Sequence, residues 1–138
     1  MHNVLLDTDV ILDFFFDREP YSGYSARIFS LCELKRIKGF ITPVICTNVY
    51  YLLRQTARHE KVIGKLSLLM NLVDVLPIDR NVLLQALSSG FKDFKDAVQN
   101  FAAVRSGHID VIITSNVKDY INSDIGVLTP ESYLKSLT

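Results

Sequence analysis

Short apolar runs alternate along the chain with longer stretches in which apolar residues recur every three or four positions. The run from Asn3 to Leu6, stopped by Asp7, lacks polar alternation, as a strand buried on both faces does. A helical stretch is expected to follow it. From Tyr21 to Lys38, the residues Tyr24, Ile28, Leu31, Cys32 and Lys35 fall on one face at helical spacing, and Gly39 is placed to end that helix. Phe40 and Ile41 then form a second short strand. Thr42-Pro43 combines an N-cap residue with a first-turn proline, which starts a helix running through Val49, Leu52 and Leu53 to about Arg58.

The alternation continues to the C-terminal end. Lys61 to Leu72 reads as another helix, and Asp74 to Leu76 as a third strand closed by Pro77. Asp79 caps a helix through Leu83, Leu84 and Leu87, and Ser88-Ser89-Gly90 is a loop. Phe94, Ala97, Val98, Phe101 and Ala102 repeat at helical spacing up to Gly107, and Asp110 to Thr114 is the clearest strand. Gly126 to Thr129 is a last strand, and Pro130 opens a terminal helix. The expected fold class is α/β: a three-layer α/β/α sandwich with a central, mostly parallel sheet of four or five strands covered on both faces. No internal repeat, low-complexity tract or linker interrupts it.

Composition adds limits. With 138 residues, the chain is expected to form a single domain over 1–138 with a core that needs no disulfide or structural metal. Its 49% apolar and 22% charged residues are those of a globular protein, and 15 basic residues balance 15 acidic ones, so net charge does not advertise a polyanion binder. Cys32 and Cys46 match no zinc or redox spacing and read as reduced thiols used for packing. The N-terminal Met-His-Asn-Val-Leu-Leu-Asp has no basic leader region, and no apolar run approaches the ~20 residues needed to cross a bilayer. A soluble, cytoplasmic protein without membrane contact is the expectation.

In open parallel sheets, ligands bind beyond the carboxyl ends of the strands. Three polar segments stand there: Asp7 after the first strand, Asp93-Phe94-Lys95-Asp96 at a helix start, and Thr114-Ser115-Asn116-Val117-Lys118-Asp119 after the clearest strand. If those strands are neighbours, four carboxylates meet at one end of the sheet. Such a cluster raises its own pKa values and persists at neutral pH only with protons, basic partners or a bound cation. Oxygen donors without an accompanying Cys or His set suit magnesium or manganese (Mg2+ or Mn2+). Two such ions about 3.5–4 Å apart can assist phosphodiester hydrolysis. Asp93 also has an ordinary explanation as a helix N-cap, with Asp96 supporting it. Asp7 is harder to dismiss in that way, because an ionised carboxylate directly after a buried strand is costly without partners.

The segments Val4 to Asp13, Asp93 to Ala97 and Ile112 to Tyr120, with Val127 to Glu131 at the end, resemble the PIN domains over nearly the whole chain. They resemble in particular the VapC-like bacterial branch, which includes the ribonuclease toxins of type II toxin–antitoxin pairs. That resemblance implies a metal-dependent endoribonuclease with one or two Mg2+ or Mn2+ ions. It makes Asp7, Asp96 and Asp119 the catalytic carboxylates and Asp7, Asp96, Asp93 and Asn116 the metal-binding set, with Thr8 and Ser115 as hydrogen-bonding supports. It further implies RNA as substrate, an antitoxin as protein partner and, with the surplus of aromatic residues, a homodimer. Where the toxin branch carries a glutamate early in the helix after the second strand, this chain has Asn48, which argues for weaker metal binding and against a second ion. Other branches of the family carry the same Asn-x-Tyr-Tyr pattern. Arg54, Arg58, Lys92, Lys95 and Lys118 could neutralise RNA phosphates. Two alternatives compete: a PIN scaffold that binds nucleic acid or protein without cutting, and a haloacid-dehalogenase-type phosphatase suggested by Asp7-Thr8-Asp9. A dinucleotide or P-loop site is excluded, because no glycine-rich loop follows any strand.

Overall fold

Residues 2–138 are described by a computed structural model. Five strands form one sheet in the order β3-β2-β1-β4-β5, with every neighbouring pair parallel. The strands are β1 (His2–Leu6), β2 (Ile37–Ile41), β3 (Val73–Val75), β4 (Val111–Ile113) and β5 (Gly126–Leu128). Seven helices connect and cover them: α1 (Thr8–Phe15), α2 (Tyr21–Glu33), α3 (Pro43–Arg54), α4 (His59–Leu72), α5 (Arg80–Leu87), α6 (Phe94–Ser106) and α7 (Pro130–Ser136). A 3-10 turn at Val117–Tyr120 follows β4. Successive strand residues face opposite sides of a sheet, and Val4, Leu5 and Leu6 are all buried, so both faces of β1 are covered. This is the expected three-layer arrangement.

Local chemistry sets several boundaries as anticipated. Thr42 accepts the Ile45 amide at 3.1 Å and caps α3, and Asp79 accepts the Val82 amide at 3.0 Å and caps α5. Gly107 ends α6 in the left-handed conformation, φ 75°. Among the described residues no helix is long and apolar enough to cross a membrane.

Several boundaries differ from expectation, and β2 begins at Ile37, three residues before Phe40. The helix expected to reach Lys38 stops at Glu33, and Gly39 lies inside β2 instead of ending it. Lys35 takes the left-handed turn, φ 58°, and the Arg36 amide bonds back to the Leu31 carbonyl at 2.9 Å, closing α2 without a glycine. Gly39 has a different role: a Cβ there would stand 2.9 Å from Cys32 Sγ and 3.2 Å from Val73 Cγ1. Its missing side chain lets α2 and β3 close onto β2. The helix expected to reach Arg58 ends at Arg54, where the chain turns and the Arg54 guanidinium donates to the Ala57 carbonyl at 3.0 Å. The third strand is displaced by one residue, because α4 runs directly into Val73 with no connecting loop.

The main core gathers around β1, β2 and β4. A second, smaller cluster of Val82, Ala86, Ala97, Val98 and Ala102 joins α5 to α6, and α5 packs chiefly on that helix.

Candidate active site

The register builds a polar row at the carboxyl edge of the sheet. Leu5 faces Phe40 and Leu6 faces Ile113, so the residues just beyond, Thr42, Asp7 and Thr114, stand side by side at the ends of β2, β1 and β4. All three are buried. Asp7 is 6% exposed, and each of its oxygens has a donor. The Thr8 amide donates to Oδ1 at 2.8 Å, while the Thr114 hydroxyl at 2.9 Å and the Tyr120 phenol at 3.3 Å donate to Oδ2. Asp7 is thereby the N-cap of α1 as well as the centre of the row.

Asp9, in the first turn of α1, is the second carboxylate of the cluster. Its Oδ2 accepts the Ser115 amide at 3.1 Å and the Asn116 side-chain amide at 3.0 Å. Its Oδ1 is buried and has no hydrogen-bond partner. Burial, then the charge of Asp7, pushes the Asp9 carboxyl up to about 7, against the partial relief of the Ser115 amide.

Asp96 enters from the first turn of α6, only 6% exposed. Burial, then Asp7, then Asp93 and Asp119, push its carboxyl up to about 6, and Lys95 offsets part of that. Asp7 and Asp96 therefore lie within each other's field at the same end of the sheet. Asp93 caps α6, its Oδ1 accepting the Asp96 amide at 3.1 Å. Asp119 is exposed on the 3-10 turn and shares a hollow of about 350 Å3 with Lys92, Asp93, Asp96 and Lys118. Burial and the charges of Asp7 and Asp96 hold the Tyr120 phenol far above its ordinary range, so it remains a hydrogen-bond donor.

The remaining sequence candidates are placed less centrally. Ser115 acts on Asp9 through its backbone, and the Asn116 amide is spent on the same carboxylate. Thr8 gives its amide to Asp7, and its hydroxyl is buried without a partner. Asn48 is half-buried in the second turn of α3. Arg54 and Arg58 sit at the corner between α3 and α4 and line neither the Asp96 hollow nor the larger one beside Asp9.

Four participants were not singled out from sequence as site residues: Asp9, Thr114, Tyr120 and Gln99. Gln99, 1% exposed and one helical turn after Asp96, accepts the hydroxyl of Thr42 and so ties α6 to the cap of α3. Of these, Asp9 carried a usable signal, a second carboxylate two residues after the first at a helix start.

Among the described residues, ion pairs join Asp13 to Arg18, Asp74 to Lys38 and Glu131 to Lys135, and none reaches Asp7, Asp9, Asp96 or Asp119. The unpartnered Asp9 oxygen and the raised carboxyls of Asp9 and Asp96 mark a cluster short of positive charge. Hard oxygen donors in that state fit a divalent ion such as magnesium or manganese. As the side chains stand, no three His, Cys, Asp or Glu groups among the described residues converge into a ready cage.

Comparison with known proteins adds to this geometry. Residues 3–118 match the sequence model of a family described as PIN domain. Ribonuclease VapC1 of Aquifex aeolicus is 26% identical over 135 residues, which span 94% of this chain and 92% of that protein. The solved structure of VapBC2 from Rickettsia felis, bound to a DNA fragment from its promoter, superposes with a TM-score of 0.68 at 12% identity, covering 91% of this chain and 96% of that one. A toxin–antitoxin complex from Klebsiella pneumoniae gives 0.65 at 20% identity, covering 92% and 97%. At such identities the structural likeness is one of fold.

Proposed function

Because this chain belongs to the PIN domain family, we propose that it is a metal-dependent endoribonuclease, the toxin of a toxin–antitoxin pair. One observation carries the reading: Asp7, Asp9 and Asp96 crowd one end of the sheet with no ion pair to any of them among the described residues, in a field that a divalent cation would relieve. The 26% identical relative named a ribonuclease supports the same chemistry.

In this reading Asp7 and Asp96 would hold one magnesium or manganese ion, with Asp93 and Asn116 as further oxygen donors. When bound, such an ion would polarise a phosphodiester and offset the charge that builds on it during hydrolysis. The chain itself does the rest. Thr114 and Tyr120 fix the orientation of Asp7 by sharing its Oδ2. Lys92 and Lys118, at the mouth of the Asp96 hollow, attract the RNA backbone. Asp119, exposed in the same hollow, would accept a proton from the attacking water in this reading.

Asn48 in place of a glutamate removes one negative charge, and together with the lack of a ready three-carboxylate cage among the described residues this favours a second reading: a PIN scaffold that binds without cutting. Family membership sets aside the phosphatase alternative. An antitoxin protein that covers the acidic row is proposed as the partner, in line with the toxin–antitoxin complex of the same fold.

The test is cleavage of a mixed-sequence RNA pool by purified protein, with and without manganese. Activity should vanish with chelator and fall by roughly a hundredfold or more in both Asp7→Asn and Asp96→Asn. Equal cutting by wild type and both variants would assign the activity to a contaminant and remove the proposal. Manganese binding without any cutting would select the scaffold reading.

A further inference from the structure

A second and larger hollow, about 630 Å3, adjoins the acidic row, which is well within the roughly 300–1,000 Å3 of small-molecule sites. It is bounded by Asp9, by the Ser115 and Asn116 that hold Asp9, and by Tyr21, Tyr24 and Glu131 from α2 and α7. Asp9 therefore belongs at once to the acidic row and to this wall. Tyr21 is 54% exposed, so an aromatic ring stands open at the hollow.

The charges of the two hollows differ. The smaller one sets Lys92 and Lys118 beside its carboxylates. The larger one is lined by Asp9, Asp13, Glu19 and Glu131 against Arg18 alone, and that arginine is already bonded to Asp13 at 3.4 Å. The larger hollow therefore repels a phosphate more strongly than the smaller, where two lysines offset part of the carboxylate charge. A nucleobase is neutral, has a face that stacks on tyrosine, and presents N–H groups along its edge.

We propose that the larger hollow receives the base of a nucleotide next to the scissile phosphate, and that it selects guanine over uracil. This deepens the nuclease reading and rests on it for the position of the phosphate. Guanine presents two adjacent donors, N1–H and the exocyclic amino group, which one carboxylate can accept in parallel. Uracil flanks its single N–H with two carbonyl oxygens, which the same carboxylates repel. Glu19 and Glu131 bring acceptor carboxylates to the hollow, and Tyr21 brings the stacking surface.

The experiment has two arms. The metal-free wild-type chain is titrated with guanosine and with uridine while the Tyr21 and Tyr24 ring signals are followed by NMR. Guanosine should bind at least about fivefold more tightly, and Tyr21→Ala, at an exposed position, should weaken it by about fivefold or more. In parallel, oligouridylates carrying one guanine at successive positions are offered as substrates with manganese, and cutting should concentrate beside the guanine. Equal binding of the two nucleosides, or guanosine that leaves both tyrosines unmoved, overturns the proposal. A short arginine peptide that occupies the same tyrosines tenfold more tightly than guanosine also overturns it, in favour of a protein partner. Guanosine binding without cleavage of any RNA upholds the base site and removes the nuclease reading. Cleavage indifferent to guanine, unaltered by Tyr21→Ala, leaves the nuclease reading standing and removes the base site.

Discussion

Replacing Asp9 by asparagine should make the metal-free protein more stable, and only above a certain pH. The Asp9 carboxyl rises from 3.8 to about 7 on folding. Between those values the native chain holds a proton that the unfolded chain has released, so stability falls as pH rises through that window, and the whole cost is present above about pH 7. A rise of about three pH units corresponds to about 4 kcal/mol at 1.36 kcal/mol per unit, as a ceiling. Asparagine keeps one oxygen for the Ser115 and Asn116 donors, but those bonds lose their charge assistance, at about 1–2 kcal/mol. The net gain expected for Asp9→Asn is about 1–3 kcal/mol at pH 8, shrinking toward zero as the pH nears 4. Urea unfolding with chelator present, at pH 8, 6 and 4.5, measures it directly. A variant less stable than wild type at pH 8, or a difference that does not change with pH, would refute the picture of a strained acidic row.

Three further outcomes follow from the geometry. Gly39→Ala should cost about 1–3 kcal/mol, because its Cβ would press on Cys32 Sγ and Val73 Cγ1; adding Cys32→Ala should recover part of the loss in thermal unfolding. Thr114→Val removes the shorter donor to Asp7 Oδ2 and should lower kcat/KM for RNA by roughly tenfold or more, with Tyr120→Phe, at 3.3 Å, doing less; the reverse order would contradict the assignment of Thr114 as the main support. Manganese binding near pH 6.5 should release up to about one proton, since the Asp9 and Asp96 carboxyls sit near 7 and 6. Calorimetry in two buffers of different ionisation enthalpy reads that release, and identical heats in both would count against a cation at this cluster.

Features that depend on neighbouring residues were legible in the sequence. Asp7 after an apolar run, the Thr42-Pro43 start, the Asp79 and Asp93 caps and the Gly107 stop all act within one turn of the chain. Strand order was legible only as a condition, that the first and fourth strands be neighbours, and their pairing meets it. Contacts between distant segments were not legible. Asp9 is held by residues 106 and 107 positions away, and Thr42 meets Gln99 across 57. Gly39 was misread for a related reason: a glycine after a helical pattern suggests a C-cap, whereas its use here is set by Cys32 and Val73 pressing from two other elements. The true end of α2 lay in Lys35, a residue that rarely takes a left-handed turn.

The small α5–α6 cluster has a bearing on how the molecule comes apart. Because α5 rests chiefly on one helix and shows Leu83, Leu84 and Leu87 to solvent, amides along α5 should exchange with deuterium well before those of β1 and β4. Asp96 lies on the partner helix, which Gln99 fastens independently to the cap of α3. Fraying of α5 can therefore run its course while the carboxylate-bearing end of α6 stays seated, which makes this arm the natural place to graft labels or tolerate sequence drift.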